Sequence, residues 1–173
     1  MYERTRELIK ECLRILRQPP LVSIMEWANQ YRVLDTTSAK EVGKFNVERT
    51  PYMIEIYEKI TKGETKQVTL MMAAQLAKSE LIINTILRYA HLDPCPMLIV
   101  QPTDEMARSF SKERIQPAIN NSILHTIIKE PSKKDSGNTV THKMFPGGYV
   151  RFVGANSPSG LASRPIRITL LDE

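Results

Sequence analysis

The chain has 173 residues, 42% of them hydrophobic, so it can bury one core and a single domain is expected. Its formal net charge of +5 suits a polyanionic partner such as nucleic acid, although a solvated basic surface would account for it equally well. Two cysteines are too few for a disulfide framework, and the lack of a signal-peptide pattern or of 18 consecutive apolar residues predicts a reducing cytoplasm as the setting.

The amino-terminal part of the chain is predicted to be mainly helical. Apolar residues recur at helical spacing in residues 2–17, and a Pro-Pro pair follows them. Ser23 is a predicted cap for a second short helix with the sequence MEWANQY. Residues 33–44 have the Thr, Ser and Gly content of a loop. A further helix is predicted to begin at Pro51, in the first-turn position that proline tolerates.

Residues 67–88, QVTLMMAAQLAKSELIINTILR, carry the first functional signal. They read as a buried strand over residues 67–72, a tight loop of small residues, Lys78-Ser79 and a largely apolar helix. This order is typical of a phosphate-binding loop, in which backbone N–H groups and the helix dipole hold phosphate oxygens, the lysine bridges the β- and γ-phosphates and the hydroxyl binds Mg²⁺. The predicted nucleotide contacts in this loop are Ala74, Gln75, Leu76, Ala77, Lys78 and Ser79.

The loop departs from the standard pattern GxxxxGK[ST], which has glycines at both ends. Met72 and Ala77 occupy those places, so a plain strand-to-helix turn with a solvated lysine is the alternative interpretation. In many ATPases a side chain just upstream of the phosphate strand clamps the adenine. Tyr52 and Arg49 are the candidates for that contact, and packing in the core is the alternative for Tyr52.

The chain after the loop alternates helices and strands. Residues 81–89 predict a buried helix, residues 97–101 a short strand, and Thr103 a cap for a helix through residue 115. The Pro-Gly-Gly sequence at 146–148 predicts the turn of a hairpin. This alternation favours a parallel sheet with helices on its faces, and such sheets bind ligands at the carboxyl ends of their strands.

Two loops and a final strand complete the pattern. Residues 129–138 are polar and lysine-rich, and they either carry solvated charge or contact a DNA backbone. A loop of small residues at 155–165 leads into IRITLLDE at 166–173, an apolar strand that ends on two acids like a Walker B element. Asp172 would hold the metal and Glu173 would polarise the attacking water. The arginines open for a transition-state role are Arg108, Arg114, Arg164 and Arg167.

Taken together, these stretches give the chain a resemblance to the amino-terminal ATPase region of phage terminase large subunits of the GpA family. The matching stretches occur in the family's order from about residue 26 to residue 173. They are MEWANQYRVL, RTPYMIEI, AAQLAKSE, PMLIVQPTDEMARSFSKERIQPAI, DSGNTV and FPGGYVRFVGANSPSGLASRPIRITLLDE. Such a series is far more specific than either nucleotide motif alone.

The resemblance implies a three-layer α/β P-loop ATPase domain of the ASCE type, with a mainly parallel sheet plus a hairpin. It implies ATP with Mg²⁺, translocation of double-stranded DNA into a procapsid, and a terminase small subunit, a portal protein and further copies of the chain as partners. The setting would be the cytoplasm of the infected bacterial host. Residues 1–45 would form an amino-terminal helical segment and residues 46–173 a partial ATPase domain, truncated after the Walker B strand, with endonuclease activity expected only in a carboxyl-terminal region beyond it.

The chain differs from the family pattern at four positions. The family usually has Lys or Arg at the place of Met72, glycines at the places of Ala73 and Ala77, and often an arginine at the place of Ala162. Alanine tolerates φ > 0 poorly and adds a methyl group where backbone must approach phosphate, so we expect residues 1–173 to bind ATP weakly. We also expect little hydrolysis, because the terminal position of Glu173 leaves the catalytic acid unfixed.

Two other functions remain open from the sequence. The first lobe of a superfamily-two helicase shares the strand, loop and helix, an element like VxPT at residues 100–103 and a terminal Asp-Glu. A non-catalytic DNA-binding protein with a degenerate phosphate loop is the alternative from another class.

Overall fold

The structure is a computed structural model that describes residues 4–7, 9, 22–36, 42–63, 65–128, 138–162 and 165–172. Most of the first predicted helix, nearly all of the lysine-rich loop, Arg164 and Glu173 therefore lie outside the described residues. Within the first helix, residues 4–7 and 9 are helical.

The predicted cap at Ser23 is confirmed. The hydroxyl of Ser23 accepts a hydrogen bond from the backbone N of Glu26 (3.0 Å), and the carboxylate of Glu26 accepts one from the backbone N of Ser23 (2.8 Å). This reciprocal pair opens helix α1, Ile24–Tyr31, which buries Ile24 and Trp27. The same bonds hold the pKa of the Glu26 carboxyl below its usual value, with the backbone bond as the larger cause.

The loop predicted at residues 33–44 contains a short antiparallel pair. Strands β1, Val33–Leu34, and β2, Gly43–Lys44, are paired, and the backbone N of Phe45 donates to the carbonyl of Arg32 at 3.1 Å. The turn-forming composition hid the pairing because each strand is only two residues long. Two 3₁₀ turns follow, Val47–Arg49 and Pro51–Met53, and lead into helix α2, Ile54–Thr61, so the predicted helix after Thr50 is confirmed.

The strand predicted at residues 67–72 is not formed. No described strand pairs with this segment, and its exposure alternates at Leu70, Met71 and Met72, with Met71 98% exposed. Leu70 and Met72 pack against the core. The sequence predicted a buried strand, but residues 67–69 are exposed, and a ladder also requires a neighbouring strand, which the described part of the chain does not supply here.

Helix α3, Lys78–Leu92, follows the loop, and all ten residues from 81 to 90 are buried, as predicted. Its polar residues Asn84, Thr85 and Arg88 are buried with the apolar ones. Helix α3 and α1 share the main hydrophobic cluster with the sheet. None of the helices in the described ranges is long and apolar enough to cross a membrane.

In the described part of the chain, the main sheet has four strands: β3 (Pro96–Gln101), β4 (His142–Phe145), β5 (Gly148–Gly154) and β6 (Ile168–Leu171). Their order is β4-β5-β3-β6. Strands β3, β5 and β6 are parallel, and β4 pairs with β5 in the predicted antiparallel hairpin. The turn between β4 and β5 places Gly147 at φ +84°. A mixed α/β fold with a mostly parallel sheet is therefore confirmed.

Strand β3 separates two apolar regions. Met97 and Ile99 belong to the main cluster, whereas Leu98 and Val100 pack with Val153 in a small cluster on the opposite face. This alternation follows from the period of two in a strand, and burial on both faces explains why the sequence of β3 is almost uniformly apolar.

The helical stretch after β3 is longer than predicted. Thr103 caps helix α4, Asp104–Phe110, by accepting from the backbone N of Met106 at 3.2 Å. A π-helical turn, Ser111–Ile115, then leads into helix α5, Gln116–Asn120, and a 3₁₀ turn, Ile123–Thr126. Pro117 occupies the tolerated first turn of α5, which is why it does not end the helical stretch. A last short helix, α6, spans Pro158–Leu161.

Candidate functional site

The loop before α3 is a tight turn with two residues in the left-handed region. Gln75 has φ +61° and Ala77 has φ +58°. The ammonium group of Lys78, the first residue of α3, donates to the carbonyl of Met72 at 3.2 Å, so the lysine lies back over its own loop. The carbonyl of Ala77 accepts the first helical bond, from the backbone N of Leu81, at 3.1 Å.

This conformation suits an anion. Left-handed residues next to a helix start turn successive backbone N–H groups toward one concave side, and the helix dipole adds partial positive charge there. The predicted contact residues 74–79 form this turn as one contiguous stretch. Among the described non-glycine residues only Gln75 and Ala77 have a positive φ. The backbone strain expected of an alanine in the left-handed region therefore applies to Ala77 and not to Ala73.

Asp172 lies at the carboxyl end of β6. The side-chain amide of Gln101 donates to Oδ2 of Asp172 at 2.9 Å, and the backbone N of Asp172 donates to the carbonyl of Val100 at 3.0 Å. Gln101 is buried and is itself fixed, since its carbonyl accepts from the backbone N of Ala155 at 2.7 Å. The carboxylate therefore has a defined orientation and retains acceptor capacity on its other oxygen.

The topology brings Lys78 and Asp172 to the same edge of the sheet. Helix α3 ends at Leu92 and β3 begins at Pro96, so α3 runs antiparallel to β3. A 15-residue helix is about 22 Å long and a six-residue strand about 20 Å, and the first turn of α3 therefore reaches the carboxyl end of β3. Glu80 in that turn lies 3.8 Å from Arg114, which follows β3, and this contact supports the arrangement.

The donor set fits Mg²⁺ bound together with a nucleotide. Mg²⁺ prefers oxygen ligands and is usually held by one or two carboxylates plus substrate phosphates. Asp172 and the hydroxyl of Ser79 supply oxygens of that kind. Across the described ranges, no group of three or more His, Cys, Asp or Glu side chains could hold a metal by itself, so a closed metal site is not offered by these residues.

Tyr52 and Arg49 lie in consecutive 3₁₀ turns before α2. Tyr52 is 46% exposed, so the alternative that it packs in the core is wrong. The buried tyrosine of this region is Tyr57, on α2. Burial raises the pKa of Tyr57 to about 12. The contact of Tyr52 and Arg49 with adenine stays a prediction.

The candidate arginines lie in different places. Arg167 forms a two-bond ion pair with Asp93 (2.8 and 2.7 Å). The backbone N of Arg167 donates to the carbonyl of Pro96, at the start of β3. It therefore lies at the amino edge of the sheet, opposite Lys78. The bonds to Asp93 raise the pKa of Arg167. Arg108 is exposed on α4, and Arg114 is the candidate that contacts the first turn of α3.

Two features of the site were missed in the sequence. One is Gln101, whose signal was a polar residue at the end of an otherwise buried strand. The other is a buried network in which Arg32 contacts Glu80 and Asn84 of α3. The sequence feature that could have indicated it is the pair Glu80 and Asn84 on a helix that is apolar nearly all round. Residues four apart lie on the same face of a helix, so one partner could contact both.

Comparison with known proteins identifies the family of the chain. A family model described as "Phage terminase large subunit gpA, ATPase domain" matches residues 39–173. The terminase large subunit of Escherichia phage lambda is 26% identical over 146 residues, covering 84% of this chain and 22% of that protein. The terminase large subunit of Enterobacteria phage P21 is 23% identical over 137 residues, covering 79% and 21% respectively.

The chain spans about a fifth of the length of these curated relatives. No solved structure matches it significantly. The helicase and non-catalytic alternatives are not favoured by a family match that covers both nucleotide motifs. The chain belongs to the ATPase-domain family of phage terminase large subunits.

Proposed function

We propose that the chain is the ATP-hydrolysing part of a motor that packages viral double-stranded DNA into procapsids. The observation that carries the proposal is the placement of Lys78, which starts α3 directly after a left-handed Ala77, at the edge of the sheet where Asp172 follows β6. The family match supports the same function. Two finer expectations about the fold, a three-layer arrangement and a division near residue 45, are part of this proposal.

The residues of the loop would bind the nucleotide. ATP with Mg²⁺ supplies the phosphoanhydride bond whose hydrolysis drives mechanical work. Backbone N–H groups of residues 74–79 would donate to phosphate oxygens, and Lys78 would exchange the Met72 carbonyl for the β- and γ-phosphates. Ser79 and Asp172 would hold Mg²⁺, with Gln101 orienting the carboxylate.

Two further contacts belong to the proposal. Tyr52, half-exposed in the 3₁₀ turn before α2, and Arg49 would contact the adenine. Glu173, which lies outside the described residues, would orient the attacking water. Positioning contributes most of the rate in phosphoryl transfer, so the proposed role of Glu173 is to hold the water in line with the γ-phosphate.

The partners are proposed from the relatives. Proteins called terminase large subunits would act with a terminase small subunit, a portal protein and other copies of themselves on double-stranded DNA, in the cytoplasm of the infected host. The net charge of +5 is compatible with DNA as a partner.

The chemical step is tested by Glu173→Gln in the protein as its gene encodes it. The carboxylate orients water and contributes little to ground-state binding, so we expect ATP affinity within about threefold of the parent and turnover reduced at least 100-fold. Turnover is measured by phosphate release and affinity by calorimetry. Parental turnover in the variant, or loss of ATP binding with the fold intact, would contradict the role given to Glu173.

A further inference from the structure

Arg32 is a buried cation that contacts the first two turns of α3. It follows α1 directly, and its side chain is 1% exposed. One guanidinium nitrogen, Nη1, forms an ion pair with Glu80 and donates to Oδ1 of Asn84 at 2.6 Å. Its Nε has no hydrogen-bond partner among the described residues, so compensation for the buried charge depends on the contacts with α3.

The network continues beyond Arg32. The side-chain amide of Asn84 donates to the hydroxyl oxygen of Tyr57 on α2 at 2.8 Å. The guanidinium of Arg32 lies 5.8 Å from the ring centre of Phe45, within cation–π range. Three segments that precede the phosphate loop, α1, α2 and the residue after β2, are thereby joined to one face of α3.

Glu80 lies in the turn that would hold phosphate. It follows Lys78 and Ser79 directly in the sequence. An α-helix rises about 1.5 Å per residue, so the backbone of Glu80 lies about 3 Å from that of Lys78 along the axis of α3. The segment before the loop cannot fix the loop by strand pairing, because residues 67–72 pair with no strand in the part of the chain that the structure describes. On that side the loop is held only by packing of Leu70 and Met72 against the core, so the polar contacts made by the first turns of α3 matter for its conformation.

We propose that Arg32 is a positioning residue, which fixes the first turn of α3 and through it the phosphate loop. The consequence for nucleotide affinity rests on the proposed function, whereas the positioning of the turn does not. Arg114, in the π-helical turn after α4, adds a longer contact, with one guanidinium nitrogen 3.8 Å from the second carboxylate oxygen of Glu80.

The chain offers a matched control at the other end of α3. The indole N–H of Trp27, also on α1, donates to Nδ1 of His91 at 2.9 Å in the last turn of α3. His91 is 11 residues from Glu80, which corresponds to about 16 Å along the helix. Trp27→Phe removes this bond and keeps an aromatic ring, so it loosens the same helix at the end remote from the loop.

The test compares Arg32→Met, Arg32→Lys and Trp27→Phe by hydrogen–deuterium exchange without nucleotide. In Arg32→Met we expect at least tenfold faster exchange in a peptide covering residues 76–86 and little change at residues 88–95. Trp27→Phe should show the reverse. Arg32→Lys keeps a charge near Glu80 but lacks the planar fork that serves two acceptors, so it should be intermediate.

The same proteins are then titrated with Mg·ATP at temperatures where each is fully folded. We expect at least tenfold weaker binding for Arg32→Met and a change below twofold for Trp27→Phe. If Arg32→Met does not fold, the pair Arg32→Met/Glu80→Gln, which leaves no unpaired carboxylate, replaces it.

Two outcomes overturn the positioning role: parental exchange at residues 76–86 without Arg32, or equal changes there in Trp27→Phe. Because exchange is measured without nucleotide, a parent that exchanges as expected but does not bind ATP supports the positioning of the turn and contradicts the proposed function. Failure of the positioning role and failure of the proposed function therefore give different results.

Discussion

The side-chain amide of Gln101 donates a 2.9 Å hydrogen bond to Oδ2 of Asp172, which joins the carboxyl ends of two parallel strands, β3 and β6. Gln101 is 3% exposed and held in place by the sheet, so its part-buried bond orients the carboxylate. A carboxylate that binds Mg²⁺ through one oxygen benefits from a fixed second oxygen, because its ligand geometry is then set before the metal arrives.

Gln101→Leu is therefore expected to weaken Mg·ATP binding more than binding of ATP alone. Loss of a hydrogen bond to a charged group at this point should weaken Mg·ATP binding roughly tenfold, equivalent to about 1.4 kcal/mol. Calorimetry with Mg²⁺ and with EDTA separates the two cases, and affinity in EDTA should change less than twofold. An equal loss in both buffers would show that Gln101 supports the fold rather than the metal ligand.

Ala77→Gly should relieve strain in the loop. Ala77 has φ +58°, a conformation that costs an alanine roughly 1–2 kcal/mol and a glycine almost nothing. After the entropy that glycine adds to the unfolded chain, we expect the free energy of unfolding to rise by about 1 kcal/mol and ATP binding to tighten.

Ala74→Gly is the matched control, since Ala74 does not have a positive φ. It should lower the free energy of unfolding by up to about 1 kcal/mol, through the unfolded state alone. Urea unfolding of both variants measures the difference. Shifts of the same sign in both would contradict the strain assigned to Ala77.

The stability of the α1–α3 contact should depend on pH through His91. Burial lowers the pKa of His91, and Nδ1 must be unprotonated to accept the 2.9 Å bond from Trp27. The ring also meets Tyr31 edge-on, with centres 5.4 Å apart. As the pH falls below about 6.5, the unfolded chain binds a proton that the folded chain resists, so stability is full above that pH and is lost as the pH falls toward the lower folded-state value.

Thermal unfolding between pH 7.5 and pH 5.5 measures this dependence. The parent should lose more stability over this interval than His91→Gln, which cannot titrate. Identical pH dependence in the two proteins would rule out His91 as the source.

The local signals of the sequence predicted much of the fold. The cap at Ser23, the buried helix α3 and the hairpin all depend on residues close in sequence, and each is confirmed. The strand expected at residues 67–72 failed because pairing depends on a distant neighbour. The small β1–β2 pair was missed for a different reason, because two-residue strands carry no periodic signal.

In the candidate site, too, the residues of local motifs were predictable and the contacts between distant residues were not. Lys78 and Asp172 could be chosen from motifs, and the parallel sheet predicts the shared edge on which both lie. Gln101 and Arg32 could not be assigned a role, because their contacts join residues 71 and 48 positions apart. Only the packing of α3 against α1 and of β6 against β3 makes those partners neighbours.

The most direct measurement is the affinity of the chain for Mg·ATP with and without the ammonium group of Lys78. We expect measurable binding by the parent and a loss of roughly 10- to 100-fold in Lys78→Ala, since charge-assisted hydrogen bonds to phosphate contribute about 1.5–3 kcal/mol. Lys62→Ala, which removes an exposed lysine after α2, controls for net charge and should bind like the parent. Equal affinity in Lys78→Ala and the parent, or no binding by the folded parent at millimolar ATP, would contradict the assignment of this loop as a phosphate site.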